Sequence, residues 1–181
     1  MRRIAVTGYK SFELGIFKQD EPAAQIIKKA IERELIRLLD EGLEWVVISG
    51  QLGAELWAAE AVFRLQDEYP ELKLAVLAPF AGQEENWNEA NKDYYESILA
   101  QADFTALVSK QPYTGPAQFV QKNRLLLHKT DGLLIVYDEE REGSPKYMHD
   151  LAKRYRDGNE YEIRMIDFYD LQSLAEEELG G

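Results

Sequence analysis

The sequence contains no cysteine and only two histidines, His128 and His149. The first absence rules out disulfides, thiolate nucleophiles and cysteine metal sites. The second leaves too few imidazoles for a His-based zinc site, whose other ligands would have to be carboxylates. No apolar run approaches the roughly 18 residues of a membrane span. The opening Met1-Arg2-Arg3-Ile4-Ala5-Val6-Thr7-Gly8 sets three apolar residues after two basic ones, short of the about 7–15 that a signal peptide needs. These absences predict a cytoplasmic protein with no membrane span. Positive charge is also in deficit: 21 Lys and Arg face 33 Asp and Glu, a formal net charge of -12. That surplus argues against nucleic acid or anionic lipid as a bulk electrostatic partner, but leaves room for a local basic pocket.

What is present fits one domain spanning residues 1–181. Apolar residues make up 45% of the chain, enough for a sizeable core. Short β-branched runs at Ile4–Thr7, Trp45–Ser49, Lys73–Ala78, Phe104–Val108, Leu133–Tyr137 and Glu162–Ile166 read as strands. They are continuously apolar rather than alternating, as in strands buried on both faces of a parallel sheet. Helical periodicity fills the intervals at Pro22–Glu41, Ala54–Glu68, Asn88–Ala100, Ala117–Lys129, Pro145–Arg156 and Leu171–Glu178. Asp20 is the expected cap of the first helix, with Pro22 in its first turn and Gly42 as its stop. The end of the last helix, including Gly180 and Gly181, is expected to fray. The regular alternation predicts a Rossmann-like, doubly wound α/β fold: a mainly parallel sheet with helices on both faces.

In such sheets ligands bind outside the carboxyl ends of the strands, so the residues after each strand are the candidates. Strand one leads into Gly8, Tyr9 and Lys10, a tight turn with an amine within reach of a phosphate. Strand two leads through Ser49, Gly50, Gly53, Ala54 and Glu55 straight into a helix. Two glycines and a helix N-terminus suit an anion, although the spacing matches neither a dinucleotide fingerprint nor a P-loop. Glu55 serves either the helix dipole or a ribose. After strand three come Pro79 and then Trp87, a candidate for stacking on a base. The Pro/Gly-rich stretch from Ser109 to Pro116 has the composition of a lid or binding edge. Arg124 is a candidate phosphate clamp. Asp138 suits a ribose hydroxyl or a magnesium ion carried by phosphates, and Gly143-Ser144 offers a second anion seat with Ser144 as helix cap. Trp45 and Trp57 read as core or as a subunit interface. No nucleophile–base–acid set is visible, and no resident metal site.

Thr7-Gly8-Tyr9-Lys10, Ser49-Gly50-Gln51-Leu52-Gly53-Ala54-Glu55, Ala78-Pro79-Phe80, Asn123-Arg124 and Asp131 to Asp138 occur in this order, and the combination resembles the YpsA family over nearly the whole chain. That family is part of the SLOG superfamily, with the DNA-processing protein DprA and the LOG cytokinin-activating enzymes as relatives. The resemblance implies a bacterial protein that binds or senses a nucleotide-derived ligand, with Gly8, Gly50, Gly53 and Glu55 in its pocket, and a link to cell division. LOG enzymes carry a P-G-G-x-G-T-x-x-E motif that is missing between Asp138 and Ser144 and only loosely matched from Gly50 to Glu55. The expectation is therefore a nucleotide-binding or sensor protein, acting through a protein partner or as a homo-oligomer. The alternatives are a nucleotide N-glycosidase or phosphoribohydrolase using Glu55, and an interaction protein with a vestigial pocket.

Overall fold

The computed structural model describes residues 1–180. Strands and helices alternate along it: β1 Arg3–Gly8, α1 Pro22–Asp40, β2 Trp45–Ile48, α2 Ala54–Leu65, β3 Lys73–Ala78, α3 Glu89–Gln101, β4 Phe104–Leu107, α4 Ala117–Lys129, β5 Gly132–Val136, α5 Pro145–Gly158, β6 Glu162–Ile166 and α6 Phe168–Gly180. The strands form one parallel sheet in the order β4-β3-β2-β1-β5-β6, the α/β arrangement expected from the apolar runs. Every expected strand is present and the helix bounds move by a few residues, but burial on both faces fails at the edge: all four residues of β4 are exposed, and β6 is only partly buried.

The strand residues alternate between two cores. Ile4 and Val6 of β1 pack with α1, α2, α3 and α6. Ala5 between them packs with α4 and α5 on the other face. Both faces of the central strands β1, β2, β3 and β5 are dry, which is why their sequences show no polar alternation. Trp57 is wholly buried in the first core, with its indole N–H donated to Gln19 Oε1 at 2.7 Å. Trp45 is half-buried against the second core, under the ammonium of Lys73.

Three local expectations are corrected. Glu21, not Asp20, occupies the cap position of α1, and its carboxylate accepts from the preceding Phe17 and Lys18 N–H groups at 2.7 and 2.8 Å rather than from the helix. Helix α6 starts at Phe168, three residues early, because Asp167 and Asp170 exchange backbone-to-carboxylate hydrogen bonds at its first turn. A 3-10 turn at Ser11–Leu14 follows β1 where only a loop was expected. At the C-terminus α6 continues through Gly180, and the fraying expected at Gly181 lies outside the described residues.

The chain adds β2, β3 and β4 on one side of β1, then crosses to place β5 on the other side. The crevice between the carboxyl ends of β1 and β5 is thus the topological switch point, where ligands of doubly wound folds sit.

Candidate functional site

A cleft of about 450 Å³ opens at this switch point. Its floor is the end of β1, Thr7 and Gly8, with Lys10 beyond it and Gln51 and Glu55 from the β2–α2 junction. One wall is the N-terminal half of α4, from Pro116 to Asn123, and the other is the start of α5, from Ser144 to Met148. Among the described residues no helix is long and apolar enough to cross a membrane, and no group of three His, Asp or Glu is placed to hold a metal.

Glu55 is 3% exposed and is tied to the chain by several donors. Its Oε1 accepts from Ser49 N at 2.7 Å, Ser49 Oγ at 2.8 Å and Gln51 N at 3.4 Å, and its Oε2 accepts from Thr7 Oγ1 at 2.9 Å. The backbone amides that the glycine pattern offered to an external anion thus already hold a carboxylate. Gly53 (φ 105°) takes up a conformation that suits glycine, and a Cβ there would lie 2.5 Å from Tyr9 O and Ser11 N. The first amide of α2, Ala54 N, donates to Tyr9 O at 3.1 Å. The β1 loop therefore seals the N-terminus of α2. Gly8 is required by packing too: a Cβ would meet Ala54 Cβ at 2.6 Å and Val136 Cβ at 2.8 Å.

The second expected anion seat is filled in the same way. Glu13 Oε2 accepts from Ser144 N at 2.8 Å, and its Oε1 accepts from Ser144 Oγ at 2.6 Å and Lys10 N at 2.8 Å. Burial pushes the Glu13 carboxyl up, but these hydrogen bonds and the Lys10 charge hold it below the ordinary glutamate value. Ser144 stands at the cap position of α5, yet its hydroxyl serves Glu13 and not the helix. Tyr9, buried, ties down the same loop: its hydroxyl donates to the carbonyls of Asp138 and Arg141 and accepts from Asp138 N at 3.0 Å.

What remains available in the cleft is cationic and comes from a residue that the sequence reading passed over. Lys122, on α4, is 8% exposed and has no ion-pair partner within 4.0 Å among the described residues. Burial pushes its ammonium pKa down, and the Lys10 charge adds to that; the Glu55 carboxylate pulls the other way. Next to it in sequence, the Asn123 side-chain oxygen is buried without a hydrogen-bond partner among the described residues. The walls also carry apolar side chains, Phe119, Val120, Pro116, Pro145 and Met148, and the exposed Tyr147.

Of the residues singled out in the sequence, Gly8, Lys10, Glu55 and Ser144 line this cleft. Tyr9, Ser49, Gly50, Gly53, Ala54 and Gly143 build the frame around it. The others stand apart. Trp87 packs edge-on against Tyr95 at 5.3 Å between ring centroids. Pro79 is buried beyond the end of β3. Arg124 is exposed, one residue and so about 100° around the helix from Asn123. Asp138 accepts from Phe168 N at 3.1 Å and Glu140 N at 2.9 Å, holding its own loop. The stretch 109–116 is tied down by the buried Gln118 side chain, which accepts from Thr114 N at 2.7 Å and donates to Pro112 O at 3.0 Å and Ser109 Oγ at 3.2 Å. A usable signal for Lys122 existed, since Gln118, Lys122 and Leu126 recur at i, i+4 and i+8 on the buried face of α4.

Comparison with known proteins agrees with this architecture. The family model YpsA, described as the YspA SLOG family, matches residues 4–171. A UPF0398 protein of Bacillus pumilus is 61% identical over 178 residues, 98% of this chain and 94% of the relative. The UPF0398 protein YpsA of Bacillus subtilis is 57% identical over 98% of this chain and 99% of its own length. A UPF0398 protein of Brevibacillus brevis is 53% identical at 98% and 95% coverage. Among solved structures, DNA processing protein A from Helicobacter pylori, reported for its single-stranded DNA binding mode, superposes with a TM-score of 0.56 at 18% identity, over 99% of this chain and 80% of that one. With a family model spanning most of its length and near full-length relatives above half identity, the chain belongs to the YpsA family of SLOG proteins.

Proposed function

We propose that the protein is a binding or sensor protein for a small nucleotide-like ligand, seated in the cleft between β1, α4 and α5. The observation that carries this reading is Lys122, buried and without an ion-pair partner among the described residues, lining the same cleft as Lys10 in a chain whose net charge is -12. A desolvated cation without a direct ion-pair partner is costly, and an incoming anionic group would offset that cost. The apolar lining around it suits the remainder of a nucleotide, since such sites combine hydrophobic lining with a few placed polar groups. Any magnesium would enter only with the ligand's phosphates.

The test is a thermal-shift and calorimetric screen of nucleotides, ADP-ribose, NAD and cyclic dinucleotides, with and without magnesium. A ligand at a hundredfold excess over its Kd adds about 2.7 kcal/mol to stability. The reading requires a hit that is lost in Lys122→Met, and absence of any shift across the panel contradicts it.

A second reading is favoured by one observation, Glu55 standing in the same cleft: cleavage of the N-glycosidic bond of a bound nucleotide. Release of free base that stops in Glu55→Gln would establish it. Single-stranded DNA, the ligand of the Helicobacter pylori neighbour, would need salt-sensitive retention, which the acidic surplus of this chain opposes. Action through a protein partner in cell division would require a division defect on deletion that the wild type rescues and Lys122→Met does not.

A further inference from the structure

The two edges of the sheet are guarded unequally. β6, at one edge, carries Glu162 and Arg164, and Arg164 pairs with Glu162 at 3.3 Å and with Glu41 at 3.1 Å. β4, at the other edge, pairs with β3 alone among the described residues. All four of its residues are exposed, Phe104 at 50% and Leu107 at 44%. Phe104 to Ser109 contains no charged residue and no proline, two of the devices by which edge strands avoid pairing with another chain.

The open edge has a defined direction. Val108 N–H donates inward to Ala78 O at 2.8 Å. An extended chain turns over at each residue, so within β4 it is Thr105 and Leu107 whose backbone N–H and C=O groups face outward. The side chains alternate in step: Phe104 and Ala106 share the face of their β3 neighbours Ala75 and Leu77, where Val108 also packs, and Thr105 and Leu107 take the other face.

Charge selects the occupant. A patch that meets its own copy across a two-fold axis presents any charge near the axis to an identical one. The uncharged run suits that contact, whereas the chain as a whole, at a net charge of -12, repels a second copy. Antiparallel pairing also matches the ends of the run, bringing the exposed Asp103 of one copy next to the exposed Lys110 of the other.

We infer that β4 is a homodimer interface, in which two copies pair their β4 strands antiparallel about a two-fold axis at Ala106 and join their six-stranded sheets edge to edge. Thr105 of each copy then exchanges backbone hydrogen bonds with Leu107 of the other. Ala106 meets Ala106 at a close, non-hydrogen-bonded position that suits a small side chain. Phe104 lies opposite Val108 of the second copy, an aromatic–β-branched pair. Because the strands run in opposite directions across the axis, the two clefts open at opposite ends of the dimer, and the inference stands apart from the nucleotide reading.

The test is sedimentation velocity of the full chain from about 1 μM to 1 mM, with amide hydrogen exchange at the same concentrations. The expected result is a monomer–dimer equilibrium in which the Thr105 and Leu107 amides gain protection as concentration rises. Ala106 is exposed and faces itself, so Ala106→Lys and Ala106→Glu should each weaken dimerisation about tenfold or more, and an equimolar mixture of the two should restore it as a heterodimer. Circular dichroism checks that both variants are folded. A chain that stays monomeric across the range, a dimer indifferent to either variant, or a mixture that fails to restore association overturns the inference. Protection of the same two amides by a polypeptide of different mass, with no dimer formed, would assign the edge to a foreign strand and overturn it as well.

Discussion

Replacing Lys122 by methionine should make the protein more stable and less able to bind. Lys122 is 8% exposed and lacks an ion-pair partner within 4.0 Å among the described residues, so the folded state bears a desolvation cost that the unfolded chain does not. Methionine keeps the length of the side chain and adapts to an irregular apolar site, here beside Phe119 and Val120. Replacing buried ions with apolar residues of similar volume is often neutral or stabilising by about 1–4 kcal/mol. In a protein of this size each kcal/mol is worth roughly 2–4 °C in Tm, so calorimetry should show a rise of at least about 2 °C. A charge-assisted contact to an anion contributes about 1.5–3 kcal/mol, so the same variant should lose about 10- to 150-fold in affinity. Opposite signs in stability and binding are the mark of a residue retained for function. A Lys122→Met protein that melts several degrees lower would refute the reasoning, since it would give Lys122 a structural role.

Other perturbations separate frame from site. Gly8→Ala should destabilise by about 1–3 kcal/mol, the cost of overpacking, because the new Cβ would lie 2.6 Å from Ala54 Cβ; urea unfolding measures it. Glu13 has a folded pKa below its unfolded value, so its contribution is fully present above about pH 4.3 and is lost as pH falls through the folded value; Glu13→Gln should flatten that part of the acid-unfolding curve. His149 is buried beside Tyr137, and burial, with Lys153 adding, holds its pKa below the ordinary value. Its unfolded form takes up a proton first as pH drops below about 6.5, so stability should decline there, and His149→Phe should remove that decline. Arg124→Ala, at an exposed position outside the cleft, should change neither Tm nor ligand affinity by a measurable amount.

The central strands were legible because burial on both faces leaves uninterrupted apolar runs such as Leu133 to Val136, whereas the same reading overstated the burial of the edge strand β4. Helix bounds were less so, because caps depend on which side chain turns which way: Glu21 faces backward to Phe17 and Lys18, and Asp167 starts α6 ahead of its apolar stripe. The site was half legible. Gly8, Lys10 and Glu55 announced themselves through a fold-level rule about strand ends. That rule does not reveal whether a glycine-rich junction is open or is already filled by the protein's own carboxylate, as with Glu55 at Ser49 and Glu13 at Ser144. Nor does it reach α4, which enters the cleft from the far side of the sheet order. Within Gln121-Lys122-Asn123-Arg124 the arginine looked the better anion ligand, but a rotation of about 100° per residue turns Lys122 and Asn123 into the cleft and leaves Arg124 in solvent.

The most direct test of the account is amide chemical-shift mapping of the tightest ligand from the nucleotide screen. The account predicts that the largest changes fall on Thr7 to Lys10, on Phe119 to Asn123 and on Ser144 to Met148, and that Trp87 and Arg124 stay silent. Changes centred on any of those silent positions, with the α4 and α5 residues unmoved, would contradict it.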